Sequence, residues 1–252
     1  MNKVVHYTVA ANWSGALPRP LSGEGFSNVC FFSGPQPPDT GWEYRKLPRF
    51  PEIDELRVTR LVKAMPHRFF ADFTASIFCD ATVQVRQETA EKWAPSPDSA
   101  LIRVVQLPRR ENLVSEFRQV ASKRYDAIYT LEDQLDAYRR ADAAPMSGPV
   151  FWGGLIVRQH CDEQVVEFGE RWWWNILRYS RRDQLSLPVA LQSIDPSRLE
   201  LIDGSEAGSA WHTRLPGVQK AINYPVGFRG AEKPMAVKTE EEKLMAEVLS
   251  LR

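Results

Sequence analysis

The segment from Trp172 to Ser186 brings together the densest set of side chains in this chain that could do chemistry. Within this segment, a run of three tryptophans is followed by guanidinium groups, a carboxylate and an amide. Amides and charged groups bind hydroxyls and anions, and indole faces stack on the apolar faces of sugar rings. The segment therefore predicts a pocket for a polyhydroxylated, partly anionic ligand, with sugar or acceptor contacts from Trp172, Trp173, Arg182 and Gln184.

The tryptophans of this segment cannot all face one core. Trp172, Trp173 and Trp174 are adjacent, and successive residues of a helix are turned by about 100° from one another. We therefore expect at least one indole to be exposed or to line a cleft, while others pack in the core. For Asp183 the alternative to a role in the pocket is the N-cap of a helix.

Asp80 is the second candidate, because it ends a run of uncharged residues that begins at Thr74. That pattern is typical of a buried parallel strand that delivers a carboxylate to the C-terminal edge of a sheet. Such a carboxylate can hold a divalent cation that neutralises a nucleotide diphosphate. It can equally cap a turn, and Thr82 stands where a second aspartate would strengthen the metal interpretation.

Basic residues precede this strand at helical spacing. Arg57, Arg60 and Lys63 are three apart, which suits contacts with phosphate oxygens but is also found on ordinary solvated helix faces. Tyr7 and Thr8 could face a base or ribose from the first strand. The pair Gly153-Gly154 marks a place where backbone could approach a ligand closely.

The elements that must position these residues alternate along the chain. Apolar, β-branched runs predict strands at 3–11, 29–32, 42–45, 74–80 and 150–158, and apolar periodicity predicts helices at 54–63, 112–124, 131–141 and around 168–177. The alternation favours an α/β fold with a mostly parallel central sheet flanked by helices. We expect one such domain over 1–195, with 196–252 as an extension packed on it that ends in a helix near 239–251.

The overall composition excludes several classes of function. Thirty-two basic residues balance thirty-two acidic ones, so no net field steers the protein toward nucleic acid or an anionic membrane. No stretch approaches a membrane span. The three cysteines lack the spacing of a metal or redox motif, which predicts reduced thiols in a cytoplasmic protein.

The order of these pieces resembles a glycosyltransferase-like domain family that was long catalogued as a domain of unknown function. Its members include plant proteins of the secretory pathway and bacterial proteins associated with glycan synthesis. The resemblance spans roughly the first four-fifths of the chain, and its most specific part is Trp172-Trp173 followed by Arg182-Asp183-Gln184-Leu185-Ser186. The other matching pieces are Tyr7-Thr8, Cys30 to Ser33, Arg57 with Arg60 and Lys63, Pro66-His67, Ser76 to Asp80, Glu116, Gln134 with Tyr138, and Gly154 to Arg158.

The resemblance implies a single GT-A-like (Rossmann-like) domain that transfers a sugar from a nucleotide-diphosphate donor to a hydroxyl of a glycan or related acceptor. Tyr7, Thr8, Arg57 and Lys63 would then hold the nucleotide and diphosphate. Asp80 would contact the sugar or a manganese or magnesium ion, and Asp183 would be the carboxylate nearest the reacting sugar. The alternative is a non-catalytic carbohydrate- or nucleotide-binding protein on the same fold, which the turn Asp80-Ala81-Thr82 favours.

Overall fold

The structure is a computed structural model and describes residues 4–93, 95–96, 98–107, 112–141 and 146–216. The strands are β1 (Val4–Ala11), β2 (Phe26–Ser33), β3 (Glu43–Lys46), β4 (Ala75–Cys79), β5 (Val83–Val85), β6 (Ile102–Gln106), β7 (Phe151–Arg158), β8 (Leu199–Ile202), β9 (Gly204–Ser205), β10 (Gly208–Ser209) and β11 (His212–Arg214). The helices are α1 (Glu55–Ala64), α2 (Gln87–Lys92), α3 (Leu113–Ser122), α4 (Ile128–Arg140), α5 (Glu163–Arg178) and α6 (Leu187–Ala190).

The central sheet of the described residues has seven strands in the order β3-β2-β1-β4-β7-β6-β8. Strands β3, β2, β1 and β4 are mutually parallel, as are β6 and β8, whereas β7 runs antiparallel to both of its neighbours. The central position of β1 and β4 explains their nearly continuous apolar sequences, since strands buried on both faces have no solvent side. The predicted α/β class, with a mostly parallel central sheet flanked by helices, is confirmed.

Helices α1 and α5 contact each other, and α1 contacts β1. The apolar residues of α5 recur at helical spacing, so that one stripe of the helix is buried while the opposite side meets solvent. This stripe packs in one core with residues of β1 and α1, and it consists of Val165, Phe168, Trp172 and Ile176. Helices α3 and α4 form a separate apolar cluster with Leu185 and Val189, which places the segment after α5 against them.

A second sheet, in the order β5-β11-β10-β9, lies beside the strand that precedes Asp80. Strand β11 pairs antiparallel with β5, so that His212 lies opposite Val85. Trp211 and Ile202 pack in one core cluster with residues of β4, β5 and β7. The chain after residue 199 therefore returns to the region around Asp80 and forms part of its surroundings.

Two strands of the central sheet, β6 and β8, are not predicted by the sequence patterns. Strand β8 lies within the segment 196–252 that we expected as an extension, and it is the edge strand of the central sheet. The helix expected near 239–251 lies outside the described residues. In the ranges that the structure describes, no helix has the length and apolar character needed to span a bilayer.

Candidate functional site

A cleft of about 190 Å³ lies at the edge of the sheet where β4 ends. Asp80 follows β4, and its N–H donates to the carbonyl of Gly154 in β7 at 2.8 Å. Because β7 is antiparallel, its glycine pair meets the C-terminal end of β4. The cleft is lined by Arg60, Lys63, Asp80, Thr82, Gln119, Lys123, Tyr125, Trp152, Gly153, Gly154, Arg182, Asp183, Gln184, Glu206 and Arg214.

An ion pair between Asp183 and Lys63 lies at the buried end of this cleft. The Lys63 ammonium donates a short hydrogen bond to Asp183 Oδ2, and both side chains are at least 95% buried. The guanidinium of Arg60 approaches the same oxygen, with Nε 3.5 Å away. Burial raises the pKa of Asp183, but the charges of Lys63, Arg60 and Arg182 outweigh it and hold that pKa well below its usual range. Asp183 is therefore a fixed negative charge.

The Lys63 ammonium is enclosed by aromatic rings as well as by carboxylates. It lies 5.1 Å from the ring centroid of Phe78 and 5.4 Å from that of Trp172, within the range of cation–π attraction. Burial lowers the pKa of Lys63, whereas Asp183 and Asp80 raise it. Both cleft aspartates therefore act electrostatically on one buried ammonium group.

Arg158 fixes the backbone that carries Lys63. This buried guanidinium donates to the Lys63 carbonyl and, through Nη2, to the Tyr7 hydroxyl at 2.5 Å, while that hydroxyl donates to the same Lys63 carbonyl at 3.1 Å. The Nη1 atom of Arg158 also lies 3.4 Å from the Ala64 carbonyl oxygen. Cations are favourable at a helix C-terminus, where carbonyls lack partners within the helix. Tyr7 and Arg158 therefore hold the end of α1 that presents Lys63.

Gly153 leaves the room that the ion pair occupies. A Cβ at this position would lie 2.7 Å from Lys63 Nζ and 3.3 Å from Asp183 Oδ2. Any larger residue must displace one of the two charged groups. Gly153, the first residue of the glycine pair, therefore leaves space for the Lys63–Asp183 ion pair. Gly154, the predicted site residue, lines the same cleft.

The segment that carries Asp183 is held by a buried polar network. Asp126 accepts hydrogen bonds from the Ser180 hydroxyl at 2.7 Å and from the Arg181 N–H at 3.0 Å. Gln134 accepts from the Ser180 N–H at 3.3 Å and donates to Tyr138, which in turn donates to Asn175. The polar residues around the Arg-Asp-Gln motif are therefore bound to α4 and α5, and they fix the backbone ahead of Asp183.

Asp183 is not the N-cap of a helix. It is the first residue of a short 3-10 turn, Asp183–Leu185, whose cap residue is Arg182. The Asp183 carbonyl accepts from Trp172 Nε1 at 2.9 Å. Its carboxylate is thus left to face Lys63 and the cleft.

Arg182 lies over one wall of the cleft. Its guanidinium stands 5.2 Å from the ring centroid of Tyr125, and its Nε lies 3.7 Å from the buried Glu116 carboxylate. These contacts come from the α3 region, and Gln119 and Lys123 of the same region also line the cleft. One wall is therefore built by Gln119, Lys123 and Tyr125, which the sequence analysis did not connect with the site.

Six of the predicted site residues are brought together at the cleft: Lys63, Asp80, Gly154, Arg182, Asp183 and Gln184. Tyr7 and Thr8, expected to hold the nucleotide, are completely buried in β1. Arg57, expected near the diphosphate, instead donates to the carbonyls of Ile176 and Tyr179 at the C-terminal end of α5, at 3.0 and 2.8 Å. Tyr7 and Arg57 therefore stabilise the scaffold around the cleft through hydrogen bonds, and Thr8 is buried within that scaffold.

The tryptophans divide as the helical period requires. Trp172 and Trp173, expected to contact the sugar, are 0% and 7% exposed and belong to the core between α1 and α5. Trp174 is the exposed one, at 63%. The expectation that at least one indole would leave the core is confirmed, but Trp172 and Trp173 are not on a cleft wall.

Arg214, Glu206 and Thr82 line the cleft without having been predicted. Arg214 belongs to β11 and Glu206 to the turn between β9 and β10, so both come from the segment after residue 195. The Leu215 N–H donates to the Thr82 carbonyl at 2.9 Å, which ties this segment to the turn after Asp80. No local motif marks Arg214 and Glu206, because the long-range β5–β11 pairing brings their segment to the cleft.

A divalent cation prefers several oxygen ligands. In the described part of the chain, no three histidine, cysteine, aspartate or glutamate side chains come together as a metal site would require. Asp183 Oδ2 already contacts Lys63 and Arg60. The Lys63 ammonium thus already supplies the positive charge near both aspartates, and the residues do not fit a metal ion held by protein groups.

The structure is similar to the crystal structure of mouse xyloside xylosyltransferase 1 in its apo form, with 10% sequence identity, a TM-score of 0.43, and coverage of 80% of this chain and 84% of that chain. No family model matches the sequence, and no curated protein matches it.

Proposed function

We propose that this protein is a glycosyltransferase that moves a sugar from a nucleotide-diphosphate donor to a hydroxyl of a glycan or related acceptor. The observation that supports this proposal is the buried carboxylate of Asp183, held in a cationic cleft at the C-terminal edge of the sheet. Sugar transfer separates charge, because an oxocarbenium-like sugar develops while a diphosphate departs. A site for it needs negative charge beside the sugar and positive charge beside the diphosphate.

In this proposal Asp183 stabilises the positive charge that develops on the sugar ring. Its carboxylate stays ionised because Lys63, Arg60 and Arg182 lower its pKa. A carboxylate with so low a pKa is a weak general base, since proton transfer is most efficient when the pKa is near the working pH. We therefore assign Asp183 an electrostatic role and leave removal of the acceptor proton to Asp80, which lines the same cleft.

The test measures release of nucleoside diphosphate from a panel of nucleotide sugars by the full chain, with simple glycans as acceptors. Replacing Asp183 with asparagine keeps the shape but removes the charge, so we expect turnover to fall about a hundredfold or more. Asp72→Asn is the matched control, because Asp72 is exposed and does not line the cleft. Normal turnover by Asp183→Asn would remove the basis of the proposal.

A fold control is needed, because Asp183→Asn leaves the buried Lys63 ammonium without its partner. The double variant Asp183→Asn with Lys63→Met removes both charges and should restore the unfolding midpoint toward that of the native chain without restoring turnover. If it regained turnover, the loss in the single variant would reflect stability and not chemistry.

The second candidate is a non-catalytic nucleotide- or carbohydrate-binding protein. The observation that favours it is that Asp183 Oδ2 is already engaged by Lys63 and Arg60, which leaves Asp80 as the other aspartate on the cleft wall. Thermal unfolding with nucleoside diphosphates and nucleotide sugars separates the two candidates. A raised midpoint without cleavage of any donor or acceptor-dependent transfer would favour the binding protein.

A further inference from the structure

The charges around the cleft are unequal. Five basic side chains and three acidic ones line it, namely Arg60, Lys63, Lys123, Arg182 and Arg214 against Asp80, Asp183 and Glu206. The chain as a whole has no formal net charge. The excess of positive charge is thus a local property of the cleft, and it favours an anionic ligand.

The inner basic residues are already matched by carboxylates. Lys63 and Arg60 face Asp183, and Arg182 faces Glu116. Lys123 and Arg214 differ, since both are exposed and no ion pair joins them to a carboxylate of the described residues. They come from separate elements, one directly after α3 and the other in β11. Two cations from different walls thus remain available to a ligand.

Thr82 gives an independent indication of a ligand. Its side chain lines the cleft and is 1% exposed, yet its hydroxyl has no hydrogen-bond partner among the described residues. A buried hydroxyl left unpaired costs on the order of 1–3 kcal/mol. A ligand oxygen in the cleft would remove that cost by accepting its hydrogen bond.

We propose that Lys123, Arg214 and the Thr82 hydroxyl bind the diphosphate of the ligand without a divalent cation. This inference rests on the proposed function, from which it takes the diphosphate. Two cations and a hydroxyl donor match the charge and the acceptor oxygens of a diphosphate, which Lys and Arg bind well. The donor set does not fit a protein-held metal ion, and Lys63 already carries positive charge next to the aspartates. The side chains therefore supply the neutralisation.

The experiment is titration calorimetry of the full chain with inorganic pyrophosphate and with nucleoside diphosphates, in EDTA and in manganese. We expect binding in EDTA that manganese does not strengthen. Lys123→Gln and Arg214→Gln should each weaken it about tenfold, because each removes one charge-assisted contact. Lys92→Gln and Arg49→Gln are the controls, since both residues are exposed and neither lines the cleft.

Thr82→Val separates a ligand contact from a structural role. It removes a hydroxyl that has no partner, so the free protein should unfold at the same or a higher temperature while diphosphate binding weakens. Unchanged binding by this variant together with the two charge variants would overturn the inference.

The two proposals fail in different ways. Metal-free diphosphate binding without any sugar transfer would sustain the diphosphate site and contradict the transferase. Transfer that appears only with manganese would sustain the transferase and overturn the metal-free site. Diphosphate binding that appears only with manganese would overturn the metal-free site whether or not transfer is seen. Absence of diphosphate binding in both conditions would also overturn the site.

Discussion

At the scale of single residues, the cleft depends on how closely the backbone of β7 approaches the Lys63–Asp183 pair. Gly153→Ala places a methyl group within 2.7 Å of Lys63 Nζ. We expect the free energy of unfolding to fall by about 1–2 kcal/mol, which is typical of overpacking. Ligand binding or turnover should fall by a larger fraction than stability does, because the displaced groups are the charged ones. Urea unfolding and ligand titration measure the two effects separately.

The matched control for this change is Gly25→Ala. A Cβ at Gly25 would meet nothing within 4 Å, and Gly25 is exposed. It should leave both stability and binding nearly unchanged. Equal binding by the Gly153→Ala variant and the native chain would show that the ion pair tolerates displacement, and it would weaken the role given to its geometry.

Residue patterns predict the charged centre of the cleft better than its surroundings. Asp80 and Asp183 are recognisable because one ends a buried strand and the other lies in a dense polar motif. Arg57 and Lys63 look equivalent on a basic ridge, yet residues six apart on a helix are turned by about 120°. Arg57 accordingly faces the end of α5 while Lys63 faces Asp183. Which side of the ridge meets the site depends on packing.

At the scale of elements, the segment before Asp183 depends on α4 and the turn that precedes it. Asp126→Asn replaces an oxygen that accepts from Ser180 and Arg181 and lies 3.7 Å from Arg181 Nε. Because hydrogen bonds to a buried charge are strong, we expect a loss of roughly 1–3 kcal/mol in the free energy of unfolding. Ligand binding should weaken as well, since Asp183 follows directly.

Asp133→Asn is the control for this prediction, because Asp133 is an exposed residue of the neighbouring helix α4. Chemical denaturation of both variants is the measurement. A loss of stability shared equally by the two would contradict a specific role for Asp126.

Strand and helix positions could largely be predicted where the apolar pattern is long, as in β1, β4, β7, α1 and α5. The strands that were missed are short or interrupted by polar residues. Strand β6 contains Arg103 and ends at Gln106, and β8 contains the exposed Glu200. Their stability comes from pairing with β7 and with each other. That pairing is set by the fold and not by local preference. The sequence alone therefore could not show that part of the segment 196–252 belongs to the central sheet.

At the scale of the whole molecule, the histidines set a pH dependence of stability. Burial lowers the pKa of His6 and of His160 to about 4, and it is also the main cause of the lowered pKa of His67 and His212. The unfolded chain protonates its histidines near pH 6.5, whereas His6 and His160 of the folded chain stay neutral until about pH 4. Their stabilising contribution is therefore present above pH 6.5 and is lost as the pH falls toward 4.

Urea unfolding at a series of pH values measures this effect. His6 and His160, whose pKa values fall to about 4, should each contribute on the order of 3 kcal/mol at most. Asp54, Asp183 and Asp195 have lowered pKa values, so the stability that their ionised forms contribute is lost only at lower pH. A free energy of unfolding that stays constant between about pH 6.5 and pH 4 would contradict the assignment.

The strand pairings β5–β11 and β6–β8 have a consequence for how the molecule folds. Val85 pairs with His212 and Ile102 with Leu199, so these contacts join parts of the chain that are distant in sequence. Contacts of this kind form late, because closing a long loop costs entropy before the contact stabilises it. During synthesis, Asp80 and Asp183 are made well before Arg214. The complete cleft can therefore assemble only after β11 has been made, and an N-terminal intermediate would hold the aspartates without this wall.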